Sequence, residues 1–298
     1  MSVPSLFDKS LLQRRRARAA AQGGVQTFLL ERAAEDMADR LQAVQRDFRQ
    51  ILVMGAGSSL VRQAIAPALP DAEWMISMEP DVPLIPNQSG LYIRGDEEFL
   101  PFADGAFDLI ASALSLQFAN DLPGAFIQTR RALKPDGLFL CTMLGGATLQ
   151  ELRASFAQAE TEIEGGLSPR VSPMADLRDL GGLLQRAGFA LPVADSDSVT
   201  VTYGSPLALM HDLRAMGATN VLTARRKTPL RRATLTRAIE IYRENFAEPS
   251  GRVRATFEII HLSGWCPHES QQKPLRPGSA QARLADALGV EEHKLKGR

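Results

Sequence analysis

The stretch LVMGAGSSL (52–60) ends an apolar run in a glycine turn, and its reading decides the fold. An apolar run this short reads as a buried strand. Gly55 and Gly57 then let the chain turn tightly into SLVRQAIAPAL, a helix stopped by Pro70. Such a turn brings backbone and helix amides close to a ligand. A two-glycine turn also arises by chance or for strand–helix packing, so its meaning depends on what surrounds it. Here Val53 and Met54 precede the glycines and Ser58 and Ser59 follow them, where many nucleotide-binding folds have a carboxylate before and a third glycine after.

The surroundings alternate. AEWMISMEP (72–80), GLYIRGD (90–96), FDLIASAL (107–114) and GLFLCTML (137–144) read as strands. LPGAFIQTRRALKPDG is an amphipathic helix closed by a Pro-Asp-Gly turn, and FLLERAAEDMADRLQAV (28–44) carries apolar residues at helical spacing. Strands alternating with helices predict βαβ units and a mostly parallel α/β sheet with right-handed crossovers. Ligands of such sheets bind beyond the carboxyl ends of the strands. Loops 55–59, 79–81, 95–98 and 112–118 are therefore predicted to meet in one crevice.

Beyond residue 145 helices are predicted over 148–164, 174–189, 206–217 and 229–247. A strand or hairpin is predicted over 191–203 and a strand over 254–265. The chain thus divides into a basic helical segment (1–27), a core (28–144), further strands with a helical elaboration (145–265) and a tail (266–298).

With 34 basic and 34 acidic residues among 298, no global field favours nucleic acid or an anionic membrane. The two cysteines, Cys141 and Cys266, are far apart and fit neither a disulfide framework nor a zinc ribbon. None of the four histidines falls in a metal spacing, so no metal site is expected. No apolar run approaches the roughly 20 residues of a membrane helix. The N-terminus is no secretory signal; it is Arg-rich and acid-poor, as organelle transit peptides also are. A cytoplasmic protein is the simplest reading, transiently at the inner membrane face if a partner takes it there.

Within the predicted crevice, Glu79 ends the second strand some twenty residues past the glycines, where an acid can accept both hydroxyls of a ribose. Asp96 follows Gly95 after the third strand, where a carboxylate can accept from an adenine amino group; a turn-forming Gly-Asp reads the same way.

The run GDEEFLPFADGAFDLIASALSLQFANDLPGAFIQTRRALKPDGLFL (95–140) resembles the class I S-adenosylmethionine-dependent methyltransferase family. The resemblance implies a Rossmann-like seven-stranded sheet flanked by helices, with a helical insertion before the last strand. It implies S-adenosylmethionine as cofactor, with Gly55 and Gly57 at its methionine end, Glu79 at the ribose, and Asp96, Glu97 and Ala113 around it. Two departures stand out: the family usually has an acid at Val53 and glycine at Ser59. A lost hydrogen bond to a charged group is worth about 1.5–3 kcal/mol, which weakens binding by roughly one to two orders of magnitude.

GGATLQELR (145–153), AETEIEGGLSPRVSP (159–173), MHDLRAMGATNVL (210–222) and GWCPHESQQKPLRPGSA (264–280) narrow the resemblance. They are similar to the bacterial counterparts of a methyltransferase-like assembly factor of mitochondrial respiratory complex I. That resemblance implies a partner, an iron–sulfur subunit of complex I, and arginine hydroxylation as the activity. The subfamily has His-Trp where this chain has Gln117-Phe118. Gln117 keeps hydrogen-bonding capacity but is no base near neutral pH, and Phe118 keeps an aromatic wall without the indole donor. Both read equally as packing beneath the crevice.

On the substrate side, His268 and Glu269, with Trp265 just before them, lie in an irregular segment suited to a substrate or lid role. Glu160 and Glu164 belong to an acidic run that can engage a guanidinium, though a solvated helix end is the simpler reading. Arg14, Arg15, Arg16 and Arg18 are expected on a helix folded over the crevice, one of them meeting the methionyl carboxylate. Three functions remain open: methyl transfer to a protein or small molecule, arginine hydroxylation in complex I assembly, and non-catalytic assembly around an altered crevice.

Overall fold

The computed structural model describes residues 5–22, 25–80 and 90–272. At its centre β1 (Gln50–Met54) is buried from Ile51 onward. It runs parallel to β2 (Trp74–Glu79) on one side and β4 (Phe107–Ala113) on the other. Next to β2 lies β3 (Leu91–Arg94), and next to β4 lies β5 (Leu133–Leu144), both parallel. The antiparallel β7 (Val253–Trp265) joins β5 to β6 (Ala190–Tyr203). The order is β3-β2-β1-β4-β5-β7-β6, a seven-stranded, mostly parallel sheet.

Helices on both faces explain why the central strands are apolar without interruption. The two-residue period of the strand sorts their side chains. Ile51, Val53, Leu109 and Ala111 pack with α2 (Phe28–Gln42) and α3 (Ser58–Ile65). Leu52, Met54, Ile110 and Phe139 pack on the other face with α4 (Leu122–Ala132) and α6 (Leu177–Arg186). A third apolar cluster joins α5 (Gln150–Glu164) and α8 (Arg232–Phe246) to β6 and β7, with the Tyr242 ring fully buried. With α7 (Pro206–Ala215), α8 forms the helical insertion before the last strand. The N-terminal helix is α1 (Lys9–Ala21), capped by the Asp8 carboxylate, which accepts from the Leu11 amide.

Of two elements, one settles the strand-or-hairpin alternative of the sequence reading as a strand and the other differs from expectation. The 191–203 segment is one long strand, paired with β7 along its length apart from a register shift between Ala190 and Val193. The fifth strand begins at Leu133, earlier than the Pro-Asp-Gly turn suggested, because Leu133 pairs with Phe107 across a bulge. The turn survives inside the strand, with Asp136 at φ 62°.

The chain divides into two compact units, residues 1–267 and 268–298. Of the second, residues 268–272 are described. Most of the tail motif, from 273 onward, lies outside the described residues.

Candidate cofactor and substrate crevice

At the carboxyl ends of the parallel strands the loops are tied together. The Gly55 amide donates to the Met78 carbonyl and the Gly95 amide to the Glu79 carbonyl, each at 2.9 Å. Gly55 has φ 111°, and a Cβ there would lie 2.5 Å from Ser115 Cβ and 3.3 Å from Glu97 Oε1. Glycine is what lets the β1 turn press against the loop after β4. Gly57, left-handed at φ 83°, then opens α3.

Two buried carboxylates line this junction. Glu79, 1% exposed, accepts a hydrogen bond from the Ser58 hydroxyl at 3.1 Å. Glu97, 4% exposed, accepts from the Ser115 hydroxyl, whose oxygen also accepts from the Ala56 amide at 3.3 Å. Asp96 is more open: its carboxylate accepts from the Glu98 amide at 3.0 Å and stands 3.6 Å from the Lys9 ammonium. Lys9 also pairs with Glu98 at 2.5 Å, which ties α1 to the loop after β3. Val53 and Ala113 are buried in the apolar layer beneath α2 and α3. Ser59 is buried with its hydroxyl unpartnered among the described residues.

The N-terminal segment straps across this edge. Phe7 is held at both backbone groups by the Asn120 amide, at 2.8 and 3.1 Å, and its ring meets Phe118 edge-on at 5.7 Å. The Asp8 amide donates to the Val221 carbonyl, and the Asp8 carboxylate pairs with Arg225 at 3.4 Å. So fixed, α1 lays the Arg16 guanidinium over the Phe118 ring, 5.5 Å from its centroid. Burial lowers the Arg16 pKa, while the carboxylates of Glu97 and Glu79 work in the opposite direction. A cavity of about 80 Å³ lies here, walled by Arg16, Ala56, Leu114, Gln117, Phe118 and Met216, among others. Leu114 takes φ 48°, a costly angle for a branched side chain, and its carbonyl accepts from Gln117 Nε2 at 2.8 Å. The other end of that amide, Gln117 Oε1, is buried without a partner among the described residues.

Residues 53–141, which contain the glycine turn and both buried carboxylates, match the methyltransferase domain family. The mitochondrial arginine-hydroxylase NDUFAF5 of Danio rerio is 39% identical over 95% of this chain and 89% of its own length. The chain belongs to the class I methyltransferase family. A second relative, the malonyl-[acyl-carrier protein] O-methyltransferase of Xylella fastidiosa, is 34% identical over 88% of this chain and 89% of its own. Among solved structures, the YcgJ protein of Bacillus subtilis shares the fold, with TM-score 0.52 at 14% identity, over 79% of this chain and 98% of that one. The family is one of enzymes, and its methyltransferase relatives now frame the remaining sequence candidates.

Of those candidates, two are engaged by other residues of the chain and one lies away from the crevice. Glu160 is 1% exposed and accepts from the Ser168 amide and hydroxyl and from Arg170 Nε, each at 2.7 Å. Glu164 accepts from Arg226 and, at 2.6 Å, from the Thr234 hydroxyl. Neither is the solvated helix end of the simpler reading, nor an open clamp for an incoming guanidinium, because arginines of this chain already fill them. Trp265 pairs with Leu138, six residues back from the carboxyl end of β5, since β7 runs antiparallel. It therefore lies at the opposite edge of the sheet from the crevice and lines a separate cavity with His261 and Met37. In the second unit, His268 and Glu269 belong to an exposed turn closed by His268 Nδ1 and the Ser270 hydroxyl at 2.8 Å.

Sequence reasoning missed Ser115, the residue that joins Glu97 to the glycine turn, and did not choose among the N-terminal arginines. The signal for Ser115 was its place directly after the fourth strand. Among the described residues, no group of three or more His, Cys, Asp or Glu side chains is placed to hold a metal ion. None of their helices is long and apolar enough to cross a membrane.

Proposed function

We propose that this chain binds S-adenosylmethionine in the crevice and modifies a protein-borne side chain during the assembly of respiratory complex I. The observation that carries the reading is the juxtaposition of the buried carboxylates Glu79 and Glu97 at the glycine turn with a small side pocket. Glu79 would hold the ribose hydroxyls, Asp96 the adenine side, and the Gly55–Ser59 turn the methionyl end. The buried Ser59 hydroxyl, unpartnered among the described residues, fits such a ligand, and Gly55 lets the turn close against Ser115 and Glu97 beside it. When bound, the cofactor supplies an electrophilic methyl group. The pocket of about 80 Å³ beside Ala56 is far below the roughly 300–1,000 Å³ of small-molecule sites. It suits the end of a side chain delivered by a larger partner. The likeness to NDUFAF5 spans the whole crevice and supports the complex I role; an iron–sulfur subunit is the partner proposed with it.

Methyl transfer is largely positioning, with the nucleophile held about 3–3.5 Å from the methyl group. It requires no base, so glutamine at position 117 is compatible with it. Arginine hydroxylation, the activity in the NDUFAF5 name, would in addition require an oxidant and a source of electrons. A second reading is favoured by one observation: the cation lining the pocket, Arg16, complements a carboxylate better than a guanidinium. That fits methylation of a malonyl group on a carrier protein.

Intact-mass spectrometry of complex I subunits from a strain lacking this protein, together with a methylation assay on malonyl-carrier protein, separates the readings. Loss of a methyl or hydroxyl mark on a subunit supports the proposal and names the chemistry. Methylated malonyl-carrier protein with unchanged subunits replaces it by the second reading. Unchanged subunits, no methylation and less assembled complex I would leave a non-catalytic assembly factor.

A further inference from the structure

Among the cations around the crevice, Arg16 faces the cavity without a described partner. Its guanidinium makes no hydrogen bond or ion pair among the described residues and is half-buried against the Phe118 ring. The neighbouring arginines of the same helix behave differently. Arg15 donates to the Asn220 carbonyl, and Arg14 and Arg18 are exposed. Glu79 and Glu97 lie near enough to be felt by Arg16, but their carboxylates are held by Ser58 and Ser115. A half-buried guanidinium that lines a cavity with no acceptor of its own is placed to take an anionic ligand.

The surroundings fix the place of that ligand. Arg16 lines the cavity shared with Ala56 of the glycine turn and Gln117 of the loop after β4. Its backbone is pinned from behind, since a Cβ on the left-handed Gly217 would meet Arg16 Cα at 3.0 Å. Phe118 supports the guanidinium face, leaving the planar edge for a bidentate partner.

We propose that Arg16 is the carboxylate anchor of the crevice, reaching in from α1 to bind either the methionyl carboxylate of the cofactor or a carboxylate of the substrate. The assignment rests on the reading of the crevice as a cofactor site. It makes α1 part of the binding site, and it gives the strap contacts of Lys9, Phe7 and Asp8 a purpose: they hold one arginine over the pocket.

The experiment compares S-adenosylhomocysteine with 5′-methylthioadenosine, the same nucleoside thioether without the amino-acid end. Calorimetry is run on the full chain and on Arg16→Met and Arg16→Lys. Arg16→Met keeps the stem on Phe118 and removes the charge, so its unliganded thermal stability is expected to equal or exceed the wild type. If the carboxylate is the cofactor's, Arg16→Met weakens S-adenosylhomocysteine by about ten- to a hundredfold. Methylthioadenosine affinity then stays unchanged, and Arg16→Lys recovers part of the loss. If the carboxylate is the substrate's, both nucleosides bind as before, and KM for a malonyl thioester rises by a similar factor at constant cofactor affinity. A stably folded Arg16→Met that changes neither affinity nor KM overturns the assignment. A wild-type chain that binds neither nucleoside overturns the cofactor reading itself, and the assignment with it.

Discussion

The Ser115 hydroxyl donates to the buried Glu97 carboxylate directly against Gly55, so three loops of the crevice meet at one hydrogen bond. Adding a methyl group at Gly55 drives a Cβ into Ser115 and forces a left-handed angle on an alanine. Gly55→Ala is expected to cost about 2–4 kcal/mol of stability and to abolish cofactor binding. Removing the clash in Gly55→Ala/Ser115→Gly should recover part of the stability, read by thermal denaturation. Simple additivity of the two single changes would show that the contact does not couple them.

Glu79 and Val53 should separate binding from packing. Val53 is fully buried in the apolar layer under α2 and α3, so Val53→Ala is expected to lower stability by about 1–3 kcal/mol with little change in affinity. Glu79→Ala should do the reverse, weakening S-adenosylmethionine more than tenfold in calorimetry. The opposite ranking would place the cofactor elsewhere.

Glu160 is expected to act on stability and not on substrate. Burial raises its pKa, but the bonds from Ser168 and Arg170 outweigh that and hold it below the ordinary value of 4.5. A carboxylate with a depressed folded pKa contributes stability above its unfolded value and loses it as pH falls through the folded one. The melting temperature should therefore drop below about pH 4.5, and Glu160→Gln should flatten that drop while leaving KM unchanged. A raised KM with unaltered melting would assign Glu160 to the substrate after all.

His261 predicts a second, higher window. It is buried, and desolvation followed by Arg40 lowers its pKa from 6.5, against the opposing pull of Asp195, Asp36 and Asp197. Its neutral form is the one the fold prefers, so stability should begin to fall as pH drops below about 6.5. His261→Gln should remove that part of the slope; a slope identical to wild type would mean that folding does not shift the titration of the ring.

Much of the crevice was legible because its parts follow local rules. Gly55 and Gly57 announce the turn, and Glu79 is found by its distance along one βαβ unit. What was not legible depends on pairing across the chain. Trp265 was misplaced because the antiparallel run of β7 turns its end to the far edge of the sheet. Glu164 looked free because its partners, Arg226 and Thr234, lie 62 and 70 residues away. Arg16 was one of four similar arginines until the strap contacts of Phe7 and Asp8 fixed the rotation of α1. The departure at Val53 became clearer in the fold: valine completes an apolar layer there, so the turn lacks a charge but not a structure.

The most direct measurement is calorimetric titration of the full chain with S-adenosylmethionine and S-adenosylhomocysteine. One-to-one binding of either ligand, weakened more than tenfold by Glu79→Ala, is the predicted result. An absence of binding heat and of thermal stabilisation at millimolar ligand would contradict the cofactor crevice.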